Sequence, residues 1–179
     1  MTQFNYCPNC KSPLVEQQLD GELRRSCSQR CGFVHYDNPV PVVAAVVEHE
    51  GLVVLARNRA WSFEFFGLIT GFLERGETPE QGVLREVKEE LDLDATSATL
   101  IGVYAFERMN QLIIGYHVAA TGTIKLNEEL IDYRQIPPAQ CRAWPAGTGY
   151  ALRDWLRSQG HEPEMMSLPF DKPRAESTA

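Results

Sequence analysis

Long apolar runs are missing from this sequence. The longest stretch of its N-terminal half without charged or strongly polar side chains, Pro39 to Val47, is nine residues, and a membrane-spanning helix needs about 20. The opening residues, MTQFNYCPNC, lack the basic start and apolar core of a secretory signal. A cytoplasmic protein with no membrane association is therefore expected. Positive charge is also scarce: 17 Lys and Arg face 24 Asp and Glu, for a net charge of −7. Nonspecific attraction to nucleic acid through counterion release is not expected of such a chain. An acidic protein can still take a phosphorylated substrate if metal cations stand between the two anions. Repeats and low-complexity tracts are absent. What remains is an ordinary globular composition, 44% hydrophobic and 23% charged over 179 residues, which excludes a wholly disordered or fibrous chain. That length accommodates one main domain and a small module.

Cysteine is rare but concentrated. Four of the five cysteines form two short pairs, Cys7-x2-Cys10 and Cys27-x3-Cys31, with sixteen residues between the pairs. Two knuckles of this kind close a tetrahedron of thiolates around a structural Zn²⁺, leaving no open position for catalysis. The alternative, two disulfides, requires an oxidising compartment. Residues 1–38 are thus expected to form a zinc ribbon. Cys141 stands apart and reads as an ordinary thiol.

After Asp37-Asn38-Pro39 the pattern changes. Val42 to Val47 and Leu52 to Ala56 are apolar and β-rich around a turn at Glu48-His49-Glu50-Gly51, which predicts a hairpin of buried strands. Further strands are predicted over Thr99–Tyr104, Leu112–Ala119 and Ile131–Ile136, and helices over Pro79–Leu91 and Tyr150–Ser158. Helices flanking a mixed sheet make an α/β fold, an α/β/α sandwich, over residues 39–160. Residues 161–179, with Pro163, Pro169 and Pro173, read as a flexible C-terminal tail, in which Met165, Met166, Leu168 and Phe170 are available to dock on a partner.

The informative stretch runs from Gly71 to Glu90. Thr78, Pro79 and Gln81 compose a helix start with a capping box. Val83, Leu84, Val87 and Leu91 form the apolar face at helical spacing. Glu86, Glu89 and Glu90 occupy the adjoining arc, with Lys88 pointing elsewhere. Like charges at i, i+3 and i+4 repel by about 0.2–0.5 kcal/mol per pair on an exposed helix, and Arg85 offsets part of this by reaching Glu89. A charged, solvated helix face would have the same composition. Bordering the apolar stripe, however, these carboxylates suit a hard divalent cation with oxygen ligands.

Gly-x5-Glu-x7-Arg-Glu-aliphatic-x-Glu-Glu, filled at every position from Gly71 to Glu90, resembles the signature of the Nudix hydrolases. One departure follows it: Asp92 stands where the family usually has the Gly that ends the helix. The four-cysteine ribbon, the Gly71-Phe72-Leu73-Glu74 form of the box, Glu128-Glu129-Leu130 and Pro145-Ala146-Gly147-Thr148 are similar to the NADH pyrophosphatase branch, but that branch's Ser-Gln-Pro-Trp-Pro-Phe-Pro segment has no counterpart at Glu107–Gln111. The resemblance implies a Nudix-type sandwich behind a zinc ribbon. It also implies Mg²⁺- or Mn²⁺-dependent hydrolysis of the diphosphate linkage in a small-molecule nucleoside diphosphate derivative such as NADH, ADP-ribose or FAD, releasing a nucleoside monophosphate. NAD-capped RNA stays open as a wider substrate, and a homodimer is expected by resemblance alone.

By the same resemblance Glu86, Glu89 and Glu90 are carboxylate ligands of the catalytic metal, joined by the Gly71 carbonyl. Arg85 orients them, Glu77 holds the loop or assists the metal, and Glu129 is a distant ligand or base, with a solvated loop glutamate as the plain reading of that residue. Arg57, Arg59, Arg75 and Arg108 are candidates for phosphate contacts, since guanidinium matches phosphate bidentately. Trp61, Phe63, Phe65, Phe66, Tyr104, Phe106 and Tyr116 include a base-stacking platform or serve as core. The histidines show no ligand spacing. The competing function is a zinc-ribbon sensor that binds a nucleotide or nucleic acid with a non-catalytic Nudix domain, against which three crowded carboxylates argue.

Overall fold

The computed structural model describes residues 4–167, and the chain divides between Pro39 and Val40 into two compact units. In the first, β1 (Leu14–Leu19), β2 (Glu22–Cys27) and β3 (Val34–His35) form a three-stranded antiparallel sheet in that order. Its interior is small: Cys7, Leu14 and Cys27 are the buried apolar residues, with Phe33 packed against them. So little buried surface cannot by itself offset the entropy of ordering the segment.

The second unit is built on β4 (Val40–His49). This strand lies parallel to β8 (Gln111–Ala120) and antiparallel to both β5 (Leu52–Asn58) and β6 (Ile69–Phe72). With β7 (Thr99–Phe106) and β9 (Leu130–Ile136) the sheet runs β7-β8-β4-β5-β9, and β6 pairs with β4 off that path. Because one strand feeds both layers, its alternate side chains are apolar on both faces. Val42, Ala44 and Val46 pack in the core that includes Ala151, Leu152, Trp155 and Leu156 of α2 (Thr148–Ser158). Val43, Ala45 and Val47 pack in the core that includes Val83, Val87 and Leu91 of α1 (Pro79–Leu91). A mixed sheet between two helices is the architecture expected from the sequence.

Local chemistry sets the boundaries. At the β4–β5 hairpin Glu50 and Gly51 take φ of 54° and 76°, the two left-handed residues of the tightest hairpin turn, so the strands continue through His49 rather than stopping at Val47. Helix α1 begins on the reciprocal Thr78–Gln81 capping box and ends at Asp92 in the left-handed conformation, φ 54°. Lys88 and Lys125 reach the Asp92 carboxylate at 2.7 and 2.9 Å, contacts that a glycine there would not make. The expectation of a free tail needs correction for residues 161–167. Ala143 donates to the Glu164 carbonyl and accepts from Met166 N–H at 3.0 and 2.8 Å, and Met166 packs on the α2-side core. Apolar burial and backbone pairing outweigh the proline signal there. Leu168, Phe170 and the rest of the predicted tail lie outside the described residues.

Candidate active site and cysteine centre

In the ribbon, each cysteine pair sits on a tight turn. Lys11 N–H donates to the Cys7 carbonyl at 2.8 Å with Lys11 at φ 63°, and Arg30 N–H donates to the Cys27 carbonyl at 2.9 Å with Arg30 at φ 56°. These turns aim four thiols inward. Cys7 and Cys31 sulfurs are 3.4 Å apart, Cys10 and Cys27 sulfurs 3.3 Å, and all four lie within 4.8 Å of one another. None is in a disulfide. An all-sulfur set of this size can hold a soft or borderline metal ion. Cys141 is buried in the α2-side core, where burial pushes its thiol up to about 11, in keeping with an inert thiol.

The second unit carries a cleft of about 610 Å³. Gly71 and Phe72 of β6, Arg85, Glu86, Glu89 and Glu90 of α1, and Asn127 and Glu129 of the loop before β9 are among its lining residues. The helix decides how deep each carboxylate sits. At about 100° per residue, Glu90 falls nearest the Val83–Val87 stripe, Glu86 next and Glu89 farthest. Relative exposure follows that order: 7% for Glu90, then 12% and 56% for the Glu86 and Glu89 side chains.

Arg85 is the hub. Its Nη1 donates to Glu86 Oε1 at 2.7 Å and to Glu89 Oε2 at 3.0 Å. Its Nη2 and Nε grip both oxygens of Glu77 at 2.8 and 3.1 Å, and Nη2 also reaches the Phe72 carbonyl. Glu77 therefore holds the loop: its Oε1 also accepts from Glu74 N–H at 2.6 Å. The bond from Arg85 holds its carboxyl below the usual range. Arg85 leaves one oxygen each of Glu86 and Glu89 without a bond to it. No hydrogen bond or ion pair among the described residues meets the Glu90 carboxylate. Burial, then the charges of Glu86, Glu129 and Glu89, push Glu90 up to about 8, and burial also raises Glu86.

Gly71 pairs with Val43 of β4, and a Cβ at Gly71 would collide with the Glu86 carboxylate. The backbone thus approaches the carboxylates as closely as a residue without a side chain allows. Hard oxygen donors crowded without enough positive charge fit a divalent cation of the Mg²⁺ or Mn²⁺ kind.

The remaining candidates divide. Arg57, Arg59, Arg75 and Arg108 do not line the cleft. Arg59 instead donates from Nε to the Glu128 carbonyl at 2.9 Å, and Arg57 lies on β5 opposite Asp132 of β9. Of the aromatics, Trp61, Phe63, Phe65 and Phe106 also line the cleft. Phe66, Tyr104 and Tyr116 pack with the two cores instead. Sequence reasoning missed Trp144, which meets Phe65 edge-on at 5.0 Å. It also missed Gln111 and Thr148 of the cleft wall and Asn127, whose only sequence signal is its place two residues before Glu129. His49 bonds the Gly122 carbonyl and Gln135, and His117 meets Glu48; these bonds lie outside the cleft.

A model of the NUDIX domain matches residues 38–156. Among curated proteins, the NAD-capped RNA hydrolase NudC of Stutzerimonas stutzeri is 28% identical over 148 residues, 82% of this chain and 52% of that protein. The protein of the same name from Pseudomonas aeruginosa (strain LESB58) is 30% identical over 131 residues, 73% of this chain and 46% of that protein. The chain spans about half the length of these curated relatives. A NUDIX hydrolase from Nitrosomonas europaea superimposes with a TM-score of 0.72 at 22% identity, covering 92% of this chain and all of that one. At that identity the likeness is one of fold.

Proposed function

Since the chain belongs to the Nudix family, we propose that it is a divalent-metal-dependent pyrophosphohydrolase that cleaves the diphosphate of a dinucleotide, releasing a nucleoside monophosphate. The observation that carries this is Glu90: a buried carboxylate with no hydrogen-bond donor among the described residues, beside Glu86, Glu89 and Glu129 in the cleft. Leaving such a group charged and unpaired is costly, and a divalent cation removes that cost.

Glu86, Glu89, Glu90 and the Gly71 carbonyl would hold the cation, with Glu129 as a further ligand or base. When bound, such a cation offsets the diphosphate charge and lowers the pKa of an attacking water. Arg85 fixes the Glu86 and Glu89 carboxylates so that they need no reorganisation when substrate arrives. The aromatic side chains of the cleft wall would supply flat faces for a base or nicotinamide ring. The names of the relatives, NAD-capped RNA hydrolases, support an NAD-type diphosphate at the 5′ end of an RNA, and a free dinucleotide carries the same linkage. The four cysteines would hold structural zinc, and their reduced state suits the cytoplasm. No helix among the described residues is long and apolar enough to cross a membrane.

The test is a panel of NADH, ADP-ribose, FAD, a nucleoside diphosphate sugar and NAD-capped RNA with Mg²⁺ or Mn²⁺, the products resolved by mass. Cleavage between the two phosphorus atoms is expected, and Glu89→Gln removes it at least about 100-fold while thermal stability stays near parental, because that side chain is largely exposed. Parental turnover in Glu89→Gln, or no cleavage of any member, refutes the assignment.

A further inference from the structure

The loop between β8 and β9 is tied down along its length. Asp94 and Thr121 exchange backbone hydrogen bonds at 2.8 and 2.9 Å. Lys125 N–H donates to the Leu91 carbonyl at 2.9 Å, and Asn127 N–H to the Glu90 carbonyl at 3.2 Å. These are two of the carbonyls that the last turn of α1 leaves without a helical partner, so the loop is registered on the same turn that carries Glu90. Asn127 then turns its side chain forward: Oδ1 accepts from Glu129 N–H at 3.0 Å and from Leu130 N–H at 3.2 Å. The Glu129 carbonyl accepts from Arg59 N–H at 2.7 Å. Both backbone polar groups of Glu129 are therefore held, while its side chain is free to face the cleft.

We propose that Asn127 is a positioning residue: through Oδ1 it fixes the backbone of Glu129 and so holds that carboxylate opposite Glu86 and Glu90. This rests on the role given to Glu129 above. Asn127 couples two parts of the site far apart in sequence, because its N–H reads the end of α1 while its side chain sets Glu129. Arg59, the residue after β5, completes the clamp, its N–H on the Glu129 carbonyl and its Nε on the Glu128 carbonyl, which gives that arginine a task away from phosphate. Partners of this kind, one step behind a ligand, typically change metal affinity or activity by about 10- to 100-fold when removed.

The experiment compares the full chain with Asn127→Ala, Asn127→Ser, Glu129→Gln and the Asn127→Ala/Glu129→Gln double variant. Two readouts are taken: turnover of the best substrate of the panel, and amide hydrogen exchange at Glu129 and Leu130 without added divalent cation. Asn127→Ala should lower turnover about 10- to 100-fold and speed exchange at both amides. Asn127→Ser should recover part of each, since a hydroxyl makes the same turn bond more weakly. In the Glu129→Gln background Asn127→Ala should add no further loss, as expected of two residues acting through one effect. Losses that multiply, unchanged exchange, or a Ser variant as poor as Ala overturn the proposal. If Glu129→Gln retains parental turnover while Glu89→Gln does not, the positioning role falls and the carboxylate helix stands. A parent chain inert toward the whole panel overturns both.

Discussion

Replacing Gly71 by alanine separates catalysis from folding more sharply than deleting any carboxylate. Strand β6 is fixed to β4 by the Val42–Ala45 register, so the backbone at Gly71 cannot retreat without breaking that pairing. The new methyl group must therefore displace the Glu86 carboxylate, whose farther oxygen lies 2.5 Å from the Cβ position when ordinary contact begins at 3.4 Å. The carboxylate has to move by about 1 Å or more. It is the mobile end of a side chain, so the structural cost is the Arg85–Glu86 bond and some repacking, about 1–2 kcal/mol. For a chain of this size that is a fall in Tm of about 2–8 °C. A misplacement of about 1 Å in a catalytic group costs about 100-fold in rate. Mg²⁺-dependent release of nucleoside monophosphate, followed by chromatography, and thermal melting of the same preparation give the two numbers. Turnover within about threefold of the parent in a folded Gly71→Ala protein would refute the claim that Glu86 and the Gly71 backbone form one site.

Three other changes test separate parts of the argument. Serine at both Cys7 and Cys10 should abolish metal retention by the ribbon, one zinc per chain by elemental analysis, and melt its sheet, since structural zinc contributes about 10–16 kcal/mol in comparable small folds; unchanged metal content would contradict the centre. Glu90 titrates near 8, so folding draws a proton onto it, and without divalent cation the parent should lose stability as pH rises from about 4.5 to 8 and level off above. At about 1.4 kcal/mol for each pH unit crossed in that window the effect is a few kcal/mol; Glu90→Gln should flatten the profile and be the more stable at pH 8, and a profile parallel to the parent's would show that Glu90 is not strained. Asp92→Gly relieves about 1 kcal/mol of left-handed backbone strain but forfeits the Lys88 and Lys125 pairs, worth about 0–1 kcal/mol each at the surface. Urea unfolding should change by no more than about 1 kcal/mol; a loss above 3 would mean that the lysine pairs, and not backbone geometry, hold the end of the helix.

What could be read from the sequence follows the range of the interactions involved. Helix α1 was legible to the residue, because Thr78, Pro79, Gln81 and Asp92 set its ends through bonds made within four positions. Convergence of the four thiols was legible for a similar reason, two local knuckles each with its own turn. Strand β6 was not: Ile69, Thr70 and Phe72 favour strands, but four residues interrupted by a glycine are too short to show a period, and they are extended because β4 offers an antiparallel partner some 27 residues earlier in the chain. The contacts of Arg85 were half legible. The i, i+4 reach to Glu89 follows from helix geometry, whereas the bidentate hold on Glu77 depends on how the loop folds back before the helix.

The same distinction explains the arginines and the aromatics. Charge type alone nominated Arg57, Arg59, Arg75 and Arg108 for phosphate, but only long-range packing decides what lines a cleft, and it left Arg85 as the one arginine at this cleft's wall among the described residues. The result has a chemical consequence. With a single guanidinium, already shared among Glu77, Glu86 and Glu89, the protein offers a diphosphate little positive charge of its own. On the proposed reading, charge compensation in the cleft would then arrive with the cations that the carboxylates would hold. Turnover should therefore vanish without divalent ion rather than persist at a reduced rate, and residual hydrolysis above about 1% of the Mg²⁺ rate in metal-stripped buffer would show that side chains outside the cleft wall supply the missing charge.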